Sequence, residues 1–243
     1  MRRVGSAVRR WVRRSLWDVV PRDHRQSDAA LRRRQLVTAG FVLLGAVVLG
    51  ISLRIEPGSV WFYPATFALA GVWALGAFVS GPLHLGRIPA WRRHERKGEH
   101  RLVRPVLAPI LIGLGLAGIF VIGGLVVREI DWLDRQVRSV LDFADQGSLP
   151  ILVVVTAVNG VAEELFFRGA LYAALPRHPV AWSSVAYVIA TLATGNVMLT
   201  FAAILLGVVV GLERRASGGV LAPILTHCAW SLSMLLALPL LFG

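Results

Sequence analysis

Seven stretches of the chain are apolar with almost no interruption: roughly Leu36 to Ser52, Val60 to Ser80, Val106 to Val127, Leu149 to Leu175, Val180 to Gly195, Val197 to Leu212 and Val220 to Phe242. Runs of this length predict helices, and at about 1.5 Å of rise per residue most of them cross a hydrocarbon core about 30 Å thick. The fifth and sixth are the shortest and meet at Gly195 and Asn196, where a break in the helix is expected. An eighth segment around Val137 to Phe143 is a further candidate. The pattern predicts an all-α, polytopic membrane bundle of about seven helices, with eight as the upper count.

The start of the chain has a different period. Val4, Val8, Trp11, Val12 and Val19 share one helical face and Arg3, Arg9, Arg10, Arg13 and Arg14 the other, the signature of an amphipathic helix lying on a membrane surface. A disordered basic tail is the alternative, since Pro21 and the polar run from Arg22 to Asp28 separate this stretch from the first span. The first 34 residues are too long and too charged for the leading region of a cleaved signal peptide. Three units follow: residues 1–34 as a basic tail with its amphipathic helix, 35–148 as amino-terminal membrane helices and loops, and 149–243 as a second membrane unit.

Composition removes the soluble classes. Hydrophobic residues make up 56% of the 243 and charged residues 16%, against about 45–50% and about 25% in soluble domains. The single cysteine, Cys228, permits no internal disulfide. A net charge of +12 suggests nucleic acid at first sight. The arginines cluster between apolar runs, however, as expected where a membrane protein meets anionic inner-leaflet lipid, so no nucleic-acid partner is expected. Eleven basic residues precede the first span and seven lie between Arg87 and Arg104, with Arg177, Arg214 and Arg215 on the same side if seven helices alternate. The loop holding Arg128, Arg135 and Arg138 also carries five acids. By the positive-inside rule the amino terminus is cytoplasmic and the protein sits in the cell membrane. Trp11, Trp17, Trp61, Trp91 and Trp132 fall near the interfaces, where anchoring accounts for them.

Ionisable groups at bilayer depth each cost about 2.5–3.5 kcal/mol and need compensation. Of the acids, Glu163 and Glu164 fall inside a span; His227 is the one deep histidine and Arg168 the one deep cation. Glu164 and Arg168 lie four apart on one face with the acid first, the favourable order for a pair. Glu163 points about 100° away with no basic residue one turn off, which suits a general base accepting a proton from water. On the last span Pro223 precedes His227 by four residues and predicts a kink, and Ser231 lies one turn beyond on the same face. Asn196 is a third polar arm at the break between two short spans. Gly207 and Gly211 form a small-residue face suited to packing.

The string Glu163-Glu164-Leu165-Phe166-Phe167-Arg168-Gly169, followed by Gly218-Gly219-Val220-Leu221-Ala222-Pro223-Ile224-Leu225-Thr226-His227, resembles the CAAX-protease and bacteriocin-processing family of intramembrane proteases. The likeness covers roughly Leu149 to Ser231. It implies an all-helical enzyme hydrolysing peptide bonds in or near the bilayer, with a membrane-associated protein or peptide as substrate. In such enzymes the first glutamate activates water with help from a Phe-x-x-x-His histidine, and a His-x-x-x-Asn pair stabilises the oxyanion. Carried over, Glu163 is the base, Glu164 and Arg168 the supporting pair and His227 the oxyanion donor. Leu192 to Asn196 stands where Phe-x-x-x-His is expected, and His227 to Ser231 where His-x-x-x-Asn is expected, so Asn196 and Ser231 take those last places.

Zinc wants three protein ligands besides water. Only Glu163 and His227 are good donors at depth, with Glu164 a third only outside its pair with Arg168, so hydrolysis without a cofactor is favoured over a zinc mechanism. Two further functions compete. One is a non-catalytic immunity factor or adaptor on the protease fold, keeping Glu164 and Arg168 for packing. The other is a proton-coupled transporter, for which the half-helix breaks and repeated halves are not evident.

Overall fold

The structure, a computed structural model, describes residues 2–20, 26–52, 54–56, 58–89 and 102–243. Pro21 to Arg25 of the tail, Trp91 and most of the basic loop before Arg104 lie outside the described residues. The elements are α1 (Arg2–Val12), continued by a π-helical turn (Arg13–Trp17), α2 (Asp28–Ser52), α3 (Phe62–Ser80), a two-stranded antiparallel ribbon of β1 (Ile88–Pro89) and β2 (Leu102–Val103), α4 (Leu107–Val127), α5 (Asp131–Asp145), α6 (Leu149–Glu164), a π-helical segment (Leu165–Leu171), α7 (Tyr172–Ala174), α8 (Pro179–Leu192), α9 (Val197–Ser217) and α10 (Leu221–Phe242). Among the described residues, six helices are long and apolar enough to cross a membrane: α2, α3, α4, the continuous rod from Leu149 to Ala174, α9 and α10. The protein is a multi-pass membrane bundle.

The differences from the hydropathy pattern have physical causes. The fifth apolar run is a 14-residue helix, α8, shorter than a span and packed along α9. The candidate around Val137 to Phe143 lies in α5, an amphipathic helix with Asp131 and Asp134 in its first turn, and Val137 and Leu141 pack on Phe242 at the end of α10; it is a helix and not a crossing. Pro223 produces no kink, because α10 starts at Leu221 and leaves the proline in the first turn, where no amide proton is required. The rod is distorted instead by the π-helical turns from Leu165 to Leu171, immediately after the paired acids. Wide turns of this kind are enriched at functional sites.

Two helices begin or end in polar residues that hydropathy assigns to loops. The first turns of α2 include Arg34, which the segment expected as a tail contains; it is 4% exposed and donates to the carbonyls of Ser80 and Pro82. Helix α9 continues through Glu213, Arg214 and Ser217, all buried, to a left-handed Gly218. Its end is stitched to the segment after α3: the amides of Val220 and Leu221 donate to His84 and Leu85, and the amide of Arg87 to Ser217. A side chain at Gly219 would run into the Leu85–Gly86 backbone, so that crossing requires glycine.

The core lies between α2, α3, the π segment and α8. Trp73 stacks within 4.9 Å of both Phe166 and Phe167, and Tyr187 meets Phe167 edge-on at 5.0 Å. These rings brace the rod at the turn carrying Arg168. Gly45 and Gly76 leave room for Trp73, Phe41 and Phe166, the close backbone approach that small residues allow in membrane bundles.

Candidate active site

Glu164 and Arg168 are fully buried and form the expected pair, Nη1 lying 3.2 Å from Oε1. Arg168 is enclosed further. Its Nη2 donates to the Gly207 carbonyl on α9 at 3.2 Å, and its guanidinium lies 4.7 Å from the Tyr187 ring centroid. Ser184 donates to the same Gly207 carbonyl at 2.9 Å. A Cβ at Gly207 would come within 3.3 Å of Arg168 Nη2, so the small-residue face of α9 admits the arginine as well as packing α8. Arg214 adds a second tie by donating from Nε to the Arg168 carbonyl at 2.7 Å while stacking on Tyr172. Arg168 is thus not the one deep cation: among the described residues Arg34 and Arg214 are also buried.

His227 reaches this pair from α10. Its Nδ1 is 2.8 Å from Glu164 Oε1, the oxygen that also meets Arg168. The approach of α10 to α6 is set at Gly160, where a Cβ would touch the imidazole at 3.4 Å and the Cys228 sulfur at 3.5 Å. The histidine expected beside Glu163 is therefore anchored on Glu164. The contact occupies Nδ1 and leaves Nε2 as the ring nitrogen open to a further partner.

Glu163 is only half-buried, and its partner is a hydroxyl: Tyr187 donates to Oε2 at 2.7 Å. It is within electrostatic reach of His227, Glu164 and Arg168.

The remaining expected residues fall differently. Asn196 is the N-cap of α9: its Oδ1 accepts from the Leu199 amide at 2.9 Å, and its Nδ2 donates to the Gln136 carbonyl at 2.7 Å. Eleven residues of helix, about 16 Å, separate it from Gly207, where Arg168 binds. Asn196 is tied to α5 and not to the glutamates, and correcting its place removes it from the site. Ser231 turns its hydroxyl onto the Cys228 carbonyl of its own helix at 3.4 Å. Asn159, one turn before Glu163, donates to Val155 in the same fashion.

Two residues at the cluster escape hydropathy and motif spacing alike. Tyr187 stands five residues before Leu192, and Tyr187-Val188-Ile189-Ala190-Thr191 has the aromatic-x-x-x-polar form. A signal exists, since Ser184, Tyr187 and Thr191 fall on one face of an otherwise apolar helix and all are buried. Glu213 lies just past the apolar run of α9; it is 1% exposed, beside Thr226 and within electrostatic reach of Glu164. No such signal marks Glu213, which sits among charged neighbours at the edge of the apolar run.

With this geometry in place the comparison with known families becomes specific. Residues 145–233 match the Rce1-like family, type II CAAX prenyl endopeptidases. The matched segment spans α6 through most of α10 and contains Glu163, Glu164, Arg168, Tyr187, Glu213 and His227. No curated protein and no solved structure matches the chain.

Proposed function

We propose that the chain is an intramembrane endopeptidase that cuts a membrane-associated protein or peptide, with Glu163 as the base. What carries the proposal is the contrast between adjacent acids: Glu164 is locked by Arg168 and His227, while Glu163 is held by one hydroxyl and stays partly accessible. Water attacks the scissile carbonyl carbon as Glu163 takes its proton. That proton then passes to the leaving amine nitrogen as the carbon–nitrogen bond breaks. Imidazolium His227, its Nδ1 fixed on Glu164, turns Nε2 to the developing oxyanion. Arg168 positions Glu164 and touches no substrate. Tyr187 to Thr191 is the better counterpart of the Phe-x-x-x-His element than Leu192 to Asn196, with threonine in place of histidine.

The donor set does not suit zinc. Among the described residues no three of His, Cys, Asp and Glu come together as a metal-holding group, and His227 Nδ1 and Glu164 Oε1 already satisfy each other. No step here is routed through a metal. In this reading the amino terminus is cytoplasmic, because arginine-rich connections favour the inner side of a membrane, and α1 is set against that leaflet. The non-catalytic reading has one observation in its favour, the commitment of Asn196 and Ser231 to backbone partners. The two readings separate on Glu163→Gln in purified, folded protein given a membrane peptide library. Cleavage by the parent and its loss by about 10²–10⁴-fold in the variant supports the protease; the adaptor reading takes over if the parent cleaves nothing.

A further inference from the structure

A cleft of about 760 Å³ opens between α8 and α9. Its walls are apolar and exposed: Val185 and Ile189 from α8, Ile204 and Val208 from α9, each 44–57% accessible. Ser184 lines its floor, donating to the Gly207 carbonyl shared with Arg168. At 14 residues α8 is about 21 Å long, short of a bilayer core about 30 Å thick, so hydrocarbon must fill the depth that α8 leaves uncovered.

One end of the cleft is basic. Arg215 and His178 line it. The Nε of Arg215 is buried with no acceptor, although its Nη2 donates to the Leu16 carbonyl. His178 takes a left-handed backbone conformation at the start of α8, and no side chain caps the first amides of that helix. Arg215 keeps its charge at the mouth of the apolar cleft, since its carbonyl and ring partners, Leu16 and Trp17, are neutral, and such a mouth suits an anion attached to a hydrocarbon chain.

We infer that this cleft holds an acyl chain of an anionic phospholipid, with the phosphate at Arg215 and His178. The apolar walls set the affinity for the chain and the basic mouth sets the preference for the headgroup. This site does not depend on whether Glu163 is catalytic.

Native mass spectrometry of the full chain in detergent, titrated with phosphatidylglycerol, phosphatidylcholine or glycerol phosphate alone, tests the inference without reading hydrolysis. Phosphatidylglycerol should bind roughly fivefold more tightly than phosphatidylcholine, as expected for one arginine near a headgroup. Glycerol phosphate alone should bind far more weakly. The preference should vanish in the Arg215→Gln, His178→Gln double variant. Val208→Trp and Val185→Trp fill the cleft from opposite walls and should each remove the bound lipid; helical circular dichroism identifies a variant that fails to fold, and the other then decides. Equal binding of the two lipids, headgroup binding as tight as the whole lipid, or undiminished lipid on a folded tryptophan variant overturns the proposal.

Discussion

Arg34 and Arg168 are both buried cations in apolar helices, yet they are neutralised in different ways. Arg34 reaches from α2 to the end of α3 and donates to the carbonyls of Ser80 and Pro82. A helix carboxyl end supplies partial negative charge and orphaned acceptors, so the guanidinium needs no acid there. Arg168 meets a carboxylate, a carbonyl and an aromatic face, and that carboxylate in turn holds His227. The first arrangement clamps two helices and contains nothing that exchanges a proton. The second uses a cation to keep an acid in place, and the acid orients an imidazole beside a second, looser acid. Burial alone does not mark a site; the partner's ability to titrate does.

Substitutions at the two arginines sharpen that contrast. Arg168→Met leaves Glu164 buried with only His227 to offset it, and should cost about 3–5 kcal/mol, the usual penalty for breaking a buried pair. Adding Glu164→Gln should restore much of the loss in chemical denaturation, and a double variant as unstable as the single would show that charge is not the cause. Arg34→Met orphans two carbonyls and should cost less, about 1–3 kcal/mol, while the folded protein keeps its peptide cleavage. Equal costs at the two sites would erase the distinction. Asn196→Ala removes the cap of α9 for about 1 kcal/mol and should leave kcat/KM unchanged; a large fall in cleavage would return Asn196 to the active site.

The smallest effect is expected at His84, in the segment between α3 and β1. Partial burial first, then the charges of Arg214 and Arg34, hold its pKa below the ordinary histidine value. The unfolded chain takes up that proton more readily than the folded one. Stability is therefore complete above the ordinary histidine pKa and declines as the pH falls below it. Between about pH 7.5 and about pH 5, His84→Gln should flatten the fall in Tm slightly; a steeper fall in the variant would reverse the sign argued here.

Much of the site is legible in the chain because it is local. The Glu164–Arg168 pair needs only the geometry of one helix, and the expense of a carboxyl at depth singles out Glu163 without coordinates. The family match over 145–233 agrees with that stretch. Asn196 was misplaced for a different reason. A break between apolar runs marks a polar residue without saying whether it faces the bundle or caps the next helix, and here α5 supplies the partner that decides. Glu213 and Arg34 were hidden because hydropathy ends a span at the first charge, whereas these helices continue with charges that the tertiary structure buries.

The sequence by itself determined that this is a membrane bundle, where most of its helices run, and that Glu163, Glu164, Arg168 and His227 lie in apolar spans, because length, hydropathy and spacing within a helix are local quantities. Only the tertiary structure decided that His227 rests on Glu164, 63 residues away, and that Tyr187 holds Glu163 from a distance of 24 residues. Helices that are apolar nearly all round carry little record of which side faces which neighbour. Their rotation is set when small residues such as Gly160 and Gly207 let backbones close together, and that rotation chooses the partner of each acid.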